Sequence, residues 1–224
     1  MSTPRRQFLG WFGASAVVAA GAPLAALEPP ERPRQPEQRV DDSWDMSWVD
    51  RITGKYRAVF DSPELSEGAA LWRAFMWRHQ YKEVYGTEPA DMTPVLVIRH
   101  GAISMAMDDG YWEQFRIGKA EKVRNYQTKK WETTNPFRTA APGVPEKYAA
   151  DNLEGLMKSG GIVLACNLAF QQVVWNYRNE EKLSREAATA RAREHLIPGI
   201  ILQPSGVFAA LRAQEAGCGY ILAS

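Results

Sequence analysis

Six residues of this chain carry groups that can do chemistry and also stand where an apolar run stops. Asp61 follows Lys55-Tyr56-Arg57-Ala58-Val59-Phe60, and Arg99 and His100 follow Pro94-Val95-Leu96-Val97-Ile98. Cys166 and Asn167 follow Ile162-Val163-Leu164-Ala165, and Ser205 comes just after Ile200-Ile201-Leu202-Gln203. An acid, a guanidinium, an imidazole, a thiol, an amide and a hydroxyl form a coherent reactive set if one edge of a sheet gathers them. Cys166 is the sharpest candidate, because a helical pattern starts right after it. A thiol at a helix N-terminus meets free N–H groups and the positive end of the dipole, which favour the thiolate. A nearby Arg99 or protonated His100 would push the same way. Cys166 and His100 are therefore the candidate catalytic residues, and Asp61, Arg99, Asn167 and Ser205 the candidate ligand-binding ones. Each also has a plainer role. Asp61 would cap a helix or shape a turn, and His100 would bond a neighbouring loop. Ser205 would N-cap the helix that follows, and Cys166 would be small buried filler.

The elements that must position these residues alternate along the chain. Apolar runs over 55–60, 94–98, 162–165, 200–203 and 220–223 read as five strands, several continuous enough to be buried on both faces. Between them, helical patterns cover 65–85, 148–158, 167–177, 184–195 and 207–216, with a shorter one at 102–107 and an aromatic segment at 111–115. In the first helix Leu71, Phe75, Met76 and Val84 are read as the buried face, and Gly86 is its natural stop. Parallel strands need crossover helices, so this order predicts a three-layer α/β/α domain on a five-stranded parallel sheet. All carboxyl ends of such a sheet share one edge, where ligand crevices form. No Gly-x-Gly-x-x-Gly or Walker-type loop follows a strand. Residues 118–145 break the rhythm with Lys119, Lys122, Arg124, Lys129, Lys130 and Arg138 among Tyr126, Trp131 and Phe137. A segment that long is either a solvated excursion or an anion-binding lid.

The second cysteine allows a geometric test. Cys218 precedes the fifth strand, at the amino edge, while Cys166 ends the third, at the carboxyl edge. A strand of four or five residues spans ~13–17 Å, beyond the ~7 Å Cα limit for a disulfide. The two cysteines are expected not to pair with each other.

Composition sets the remaining bounds. The 224 residues are 45% hydrophobic and 24% charged, which is ordinary for one core-forming domain plus a tail. The net charge is +1. No basic run combines with the modules of nucleic-acid binders, so nucleic acid is excluded as a partner class. The three histidines His79, His100 and His195 show no ligand-pair spacing. A metal or haem site built from His100, Cys166 and Met105 or Met107 is therefore the weakest reading, and no cofactor is expected.

The N-terminus reads as an address. Thr3-Pro4-Arg5-Arg6-Gln7-Phe8-Leu9-Gly10 resembles a twin-arginine export motif and precedes an Ala- and Gly-rich apolar segment. Residues 1–27 are expected to be a twin-arginine signal segment and to direct the chain to the periplasm. Residues 28–54 follow as a Pro-rich linker and an arm carrying Trp44 and Trp48, with 55–224 as the α/β domain. Proline with alternating charge buries little, so 28–39 would be an extended linker. The two Trp, four apart, would share one face and pack the arm on the domain or on a neighbouring subunit. Contact with a membrane is expected only if the signal is retained.

Four stretches carry a family resemblance: Gly161-Ile162-Val163-Leu164-Ala165-Cys166-Asn167, Leu196-Ile197-Pro198-Gly199-Ile200, Pro204-Ser205-Gly206-Val207 and Gln214-Glu215-Ala216-Gly217-Cys218-Gly219-Tyr220-Ile221. Together they resemble the DsrE/DsrF-like, sulfur-relay-like family, most closely over 159–224. The resemblance implies a five-stranded parallel α/β/α domain assembled as trimers or hexamers. Some members carry a persulfide on a cysteine at the position of Cys166 and pass sulfur between partner proteins. This chain has Cys166-Asn167 where relatives often have Cys-Gly, and it adds the 118–145 insertion and the Trp-bearing arm.

Two functions stay open from these readings. One is an exported protein that binds a small ligand or partner at the carboxyl edge and handles sulfur on Cys166, with His100 tuning the thiol. Arg99 and Asn167 would then orient an anionic sulfur compound. The other is a non-catalytic binding or assembly module of an oligomeric or membrane-associated complex.

Overall fold

The computed structural model describes residues 43–140 and 142–223. The signal segment and the Pro-rich linker fall outside the described residues. Five strands form one parallel sheet: β1 (Tyr56–Ser62), β2 (Met92–Ile98), β3 (Ile162–Cys166), β4 (Ile201–Gln203) and β5 (Gly219–Leu222). Their spatial order is β4-β3-β2-β1-β5. The chain steps across neighbouring positions from β1 to β4, then returns past three strands to place β5 beside β1.

The central strands are apolar on both faces because helices cover both. Ala58, Phe60, Leu96, Ile98, Val163 and Ala165 face the larger core cluster. That cluster also takes in buried residues of α1 (Ala69–Tyr85), α2 (Asp109–Gln114), α4 (Leu153–Lys158), α5 (Asn167–Glu180) and α6 (Arg185–Glu194). The alternate residues Val59, Val95, Val97, Ile162 and Leu164 face the other side, against α7 (Gly206–Glu215). This alternation is the two-residue period of a strand buried on both faces. The buried side of α7 is Ala209 and Ala213, small enough to let the helix lie close on the sheet. A short helix α3 (Ile117–Ala120) completes the set.

The Trp-bearing arm packs on its own domain. Trp48 lies in a 3-10 turn (Ser47–Arg51) and is fully buried in the α7-side cluster with Ile52. Gln203, at the end of β4, donates from Nε2 to the Asp45 carbonyl at 2.8 Å and ties the arm down. The insertion is also anchored. Asn135 is buried and donates from Nδ2 to the Met105 and Met107 carbonyls at 2.9 and 2.6 Å.

In α1 one sequence expectation needs correction. Leu71 and Phe75 are buried, but Val84 is 69% exposed. At 100° per residue it has rotated off the face that Leu71, Ala74 and Phe75 present to the sheet. The helix does end at Gly86, whose φ of +66° suits glycine and closes the last turn on the Lys82 carbonyl.

Candidate functional site at the carboxyl edge of the sheet

The helices after β3 and β4 leave on opposite faces, α5 on one and α7 on the other. In open α/β sheets such a divergence opens a crevice. Cys166 pairs with Gln203 across it, and the Ile98–Ala165 pairing brings Arg99 level with Cys166. The six candidates therefore share one edge. Their side chains are divided among three arrangements.

The first is a buried charge cluster. Asp61 is 2% exposed, and Arg99 grips it twice, Nε to Oδ1 at 2.7 Å and Nη2 to Oδ2 at 2.9 Å. The Tyr220 hydroxyl donates to Oδ2 at 2.6 Å. The hydrogen bond to Asp61 raises the Arg99 pKa, and the same carboxylate raises that of Tyr220, so the phenol stays protonated. The stem of Arg99 lies against Gly206, where a Cβ would meet its Cβ and Cδ at 2.5 Å. The first residue of α7 must be this small for Arg99 to reach Asp61.

The second arrangement is at the mouth of the β1 and β2 loops. His100 has a φ of +48° and faces Glu64, with Nδ1 3.2 Å from Oε1, both side chains more than half exposed. Glu64 follows β1, so His100 bonds a neighbouring loop.

The third is local to the helix starts, with two caps and one bond within α5. The buried Cys166 sulfur accepts the Ala169 N–H at 3.4 Å at the start of α5. Asn167 accepts from Gln171 Nε2 at 3.4 Å, and Ser205 Oγ accepts the Phe208 N–H at 3.0 Å at the start of α7. Among the described residues, no hydrogen bond or ion pair joins Cys166 to His100 or Arg99. Both cysteines are free. Burial pushes the Cys218 thiol up to about 11.

Beside these groups an open cavity of about 920 Å³ lies between the 3-10 turn His100–Ala106, the α2–α3 corner and the first turns of α5. Ser104, Phe115, Glu121, Leu168 and Trp175 line it, with His100 at its mouth. Ser104 is 4% exposed and its Oγ has no hydrogen-bond partner. Leu168 and Trp175, seven apart on α5, remain 68% and 57% exposed. Tyr111 is held in the wall by Asn176, which donates to its hydroxyl at 2.8 Å, and burial pushes the phenol up to about 12.

Sequence reasoning missed Tyr220, Ser104, Glu121 and Trp175. Two of them carried a signal. Ser104 is a lone hydroxyl in an apolar turn. Trp175 is out of phase with Phe170, Val173, Val174 and Tyr177, the buried stripe of α5. A second depression, about 890 Å³, runs under the insertion past Lys122, Tyr126 and Lys129. Arg124 stacks over the Trp131 ring there, 3.7 Å from its centroid. Among the described residues no group of three or more His, Cys, Asp and Glu could hold a metal ion. Among them, too, no helix is long and apolar enough to cross a membrane.

No family model matches the chain, and no curated protein matches it. Among solved structures, one similar chain is the protein of unknown function MTH1491 from Methanobacterium thermoautotrophicum. The two are 16% identical, and the match covers 75% of this chain and 98% of that one with a TM-score of 0.39.

Proposed function

We propose that this chain is a non-catalytic binding module that takes a small ligand into the cavity beside α5. The observation that carries the reading is the pair Leu168 and Trp175, large apolar side chains that line the cavity and stay exposed. An apolar ligand body in the cavity would cover both. The reactive groups on the same edge are already engaged. Arg99 and Asp61 hold each other, and His100 faces Glu64. That supports binding over turnover.

Saturation-transfer NMR with indole on the full chain tests this reading. Indole is expected to show transfer with the parent protein and to lose it in Trp175→Ala. Equal transfer in both would overturn the cavity assignment.

A second reading, sulfur handling on Cys166, is favoured by one observation. The sulfur sits at the start of α5 and accepts an N–H there, the setting that stabilises a thiolate. In that reading the thiolate attacks a sulfane sulfur of a polysulfide. A new S–S bond forms on Cys166, and the polysulfide leaves one sulfur shorter. The resemblance to DsrE/DsrF-like proteins supports it, while burial of the thiol and Asn167 in place of glycine weigh against it. Mass spectrometry after exposure to polysulfide decides: a 32-Da increment absent from Cys166, or unchanged in Cys166→Ser, would sink it.

Self-association and export complete the proposal. β5 pairs with β1 on one side only, and its Tyr220, Ile221 and Leu222 are exposed, as are Val207 and Leu211 of α7. An apolar edge strand invites pairing with another chain, and the family resemblance implies trimers or hexamers. Light scattering would show a smaller species for Leu222→Lys than for the parent. Export to the periplasm rests on Arg5-Arg6-Gln7-Phe8-Leu9 alone.

A further inference from the structure

We propose that the cavity selects an organic cation, a protonated amine carried on an aromatic or apolar body. The inference rests on the cavity reading above and adds the charge of the ligand. Glu121 lines the cavity, and among the described residues its carboxylate has no hydrogen-bond or ion-pair partner. Glu64 is close enough to act on it, so a second negative charge stands near the mouth. Among the described residues no Lys or Arg lines the cavity, and the remaining titratable groups in its wall are His100 and Tyr111. His100 is turned to Glu64, and the Tyr111 phenol is neutral at ordinary pH.

Chemistry then discriminates among ligands. An anion entering this space would meet Glu121 and Glu64 with no Lys or Arg to balance it. A neutral ligand would leave the Glu121 carboxylate unmatched. A protonated amine answers the carboxylate, and the Gln172 side-chain amide at the wall offers an acceptor for its N–H groups. The exposed ring of Trp175, together with Phe115, offers a face to the cation and a surface for its apolar body. The carboxyl of Glu121 is raised, first by partial desolvation at the wall and then by Glu64, and a bound cation would lower it again.

Three probes with one ring system and three charges test the inference on the full chain at neutral pH: tryptamine, indole and indole-3-acetate. Titration calorimetry should rank tryptamine tightest, about three- to fivefold or more over indole, the scale of one partly exposed charge pair. Indole-3-acetate should be weakest. Glu121→Gln should abolish the preference for tryptamine over indole. If indole or indole-3-acetate binds as tightly as tryptamine, the cation assignment falls while the cavity reading stands. Equal tryptamine affinity in Glu121→Gln and the parent also overturns the assignment. If none of the three binds, or Trp175→Ala changes none of them, the cavity reading falls too.

Discussion

Arg99 holds Asp61 by two parallel hydrogen bonds, 2.7 and 2.9 Å long, while the carboxylate itself is almost sealed from solvent. The two residues are not equal partners. Arg99 is part-exposed and can turn to water, whereas Asp61 cannot. Removing the arginine therefore strands a buried charge with only the Tyr220 hydroxyl, and removing the acid strands a charge that can still be solvated. Arg99→Ala should cost about 3 kcal/mol in urea unfolding and Asp61→Asn about 1–2 kcal/mol. The reverse order, or no loss in Arg99→Ala, would show that the pair does not hold the edge.

The arm belongs to the core by the same kind of test. Trp48 is fully buried against Val59, Val95 and Ala213, so Trp48→Ala should cost about 3–5 kcal/mol. Calorimetric melting would register it. A change within error would mean the arm merely rests on the sheet.

Much of this architecture was legible in residue order. Val95 to Ile98 and Ile162 to Ala165 are short, unbroken apolar runs rich in β-branched residues and flanked by Gly or Pro, the mark of a strand covered on both faces. Cys166 and Cys218 read as unpaired, because a strand separates the two edges they occupy, and both are free. The site was legible only as an edge. Which side chains meet there depends on reach and direction: Tyr220 leans along β5 to Asp61, and Glu64 comes from the loop after β1 to meet His100. Neither contact leaves a periodic mark. Asn135 shows the same limit from another side, since a single amide bonding two carbonyls has no pattern around it in the sequence.

Cys166 acts on the fold as a cap. A serine hydroxyl accepts a helix N–H at least as well as a thiol sulfur, so Cys166→Ser should keep stability within about 1 kcal/mol. It should also leave indole binding in the cavity unchanged. Loss of binding with intact folding would place the thiol in the ligand site.

The other thiol sets an alkaline limit. Burial raises Cys218 from its ordinary value of 9.0 to about 11, so the folded state favours the neutral thiol. The raised value means its contribution is full below pH 9.0 and is lost as pH rises through about 11. Two units correspond to about 2–3 kcal/mol. Unfolding free energy measured across that window should fall more steeply in the parent than in Cys218→Ala. Parallel slopes would assign the alkaline loss to other groups.

The return of the chain to β5 has a consequence for the order of assembly. Asp61 lies 38 residues from Arg99 but 159 from Tyr220. Loop closure grows more costly with separation, and distant pairings slow folding. β1, β2, β3 and β4 can zip together in the order of their synthesis, each beside the last. Until β5 docks, β1 is an open border with Asp61 held by Arg99 alone. By this reasoning the docking of β5 would close the folding reaction, and a chain delayed at that stage would expose the edge of β1 to its neighbours.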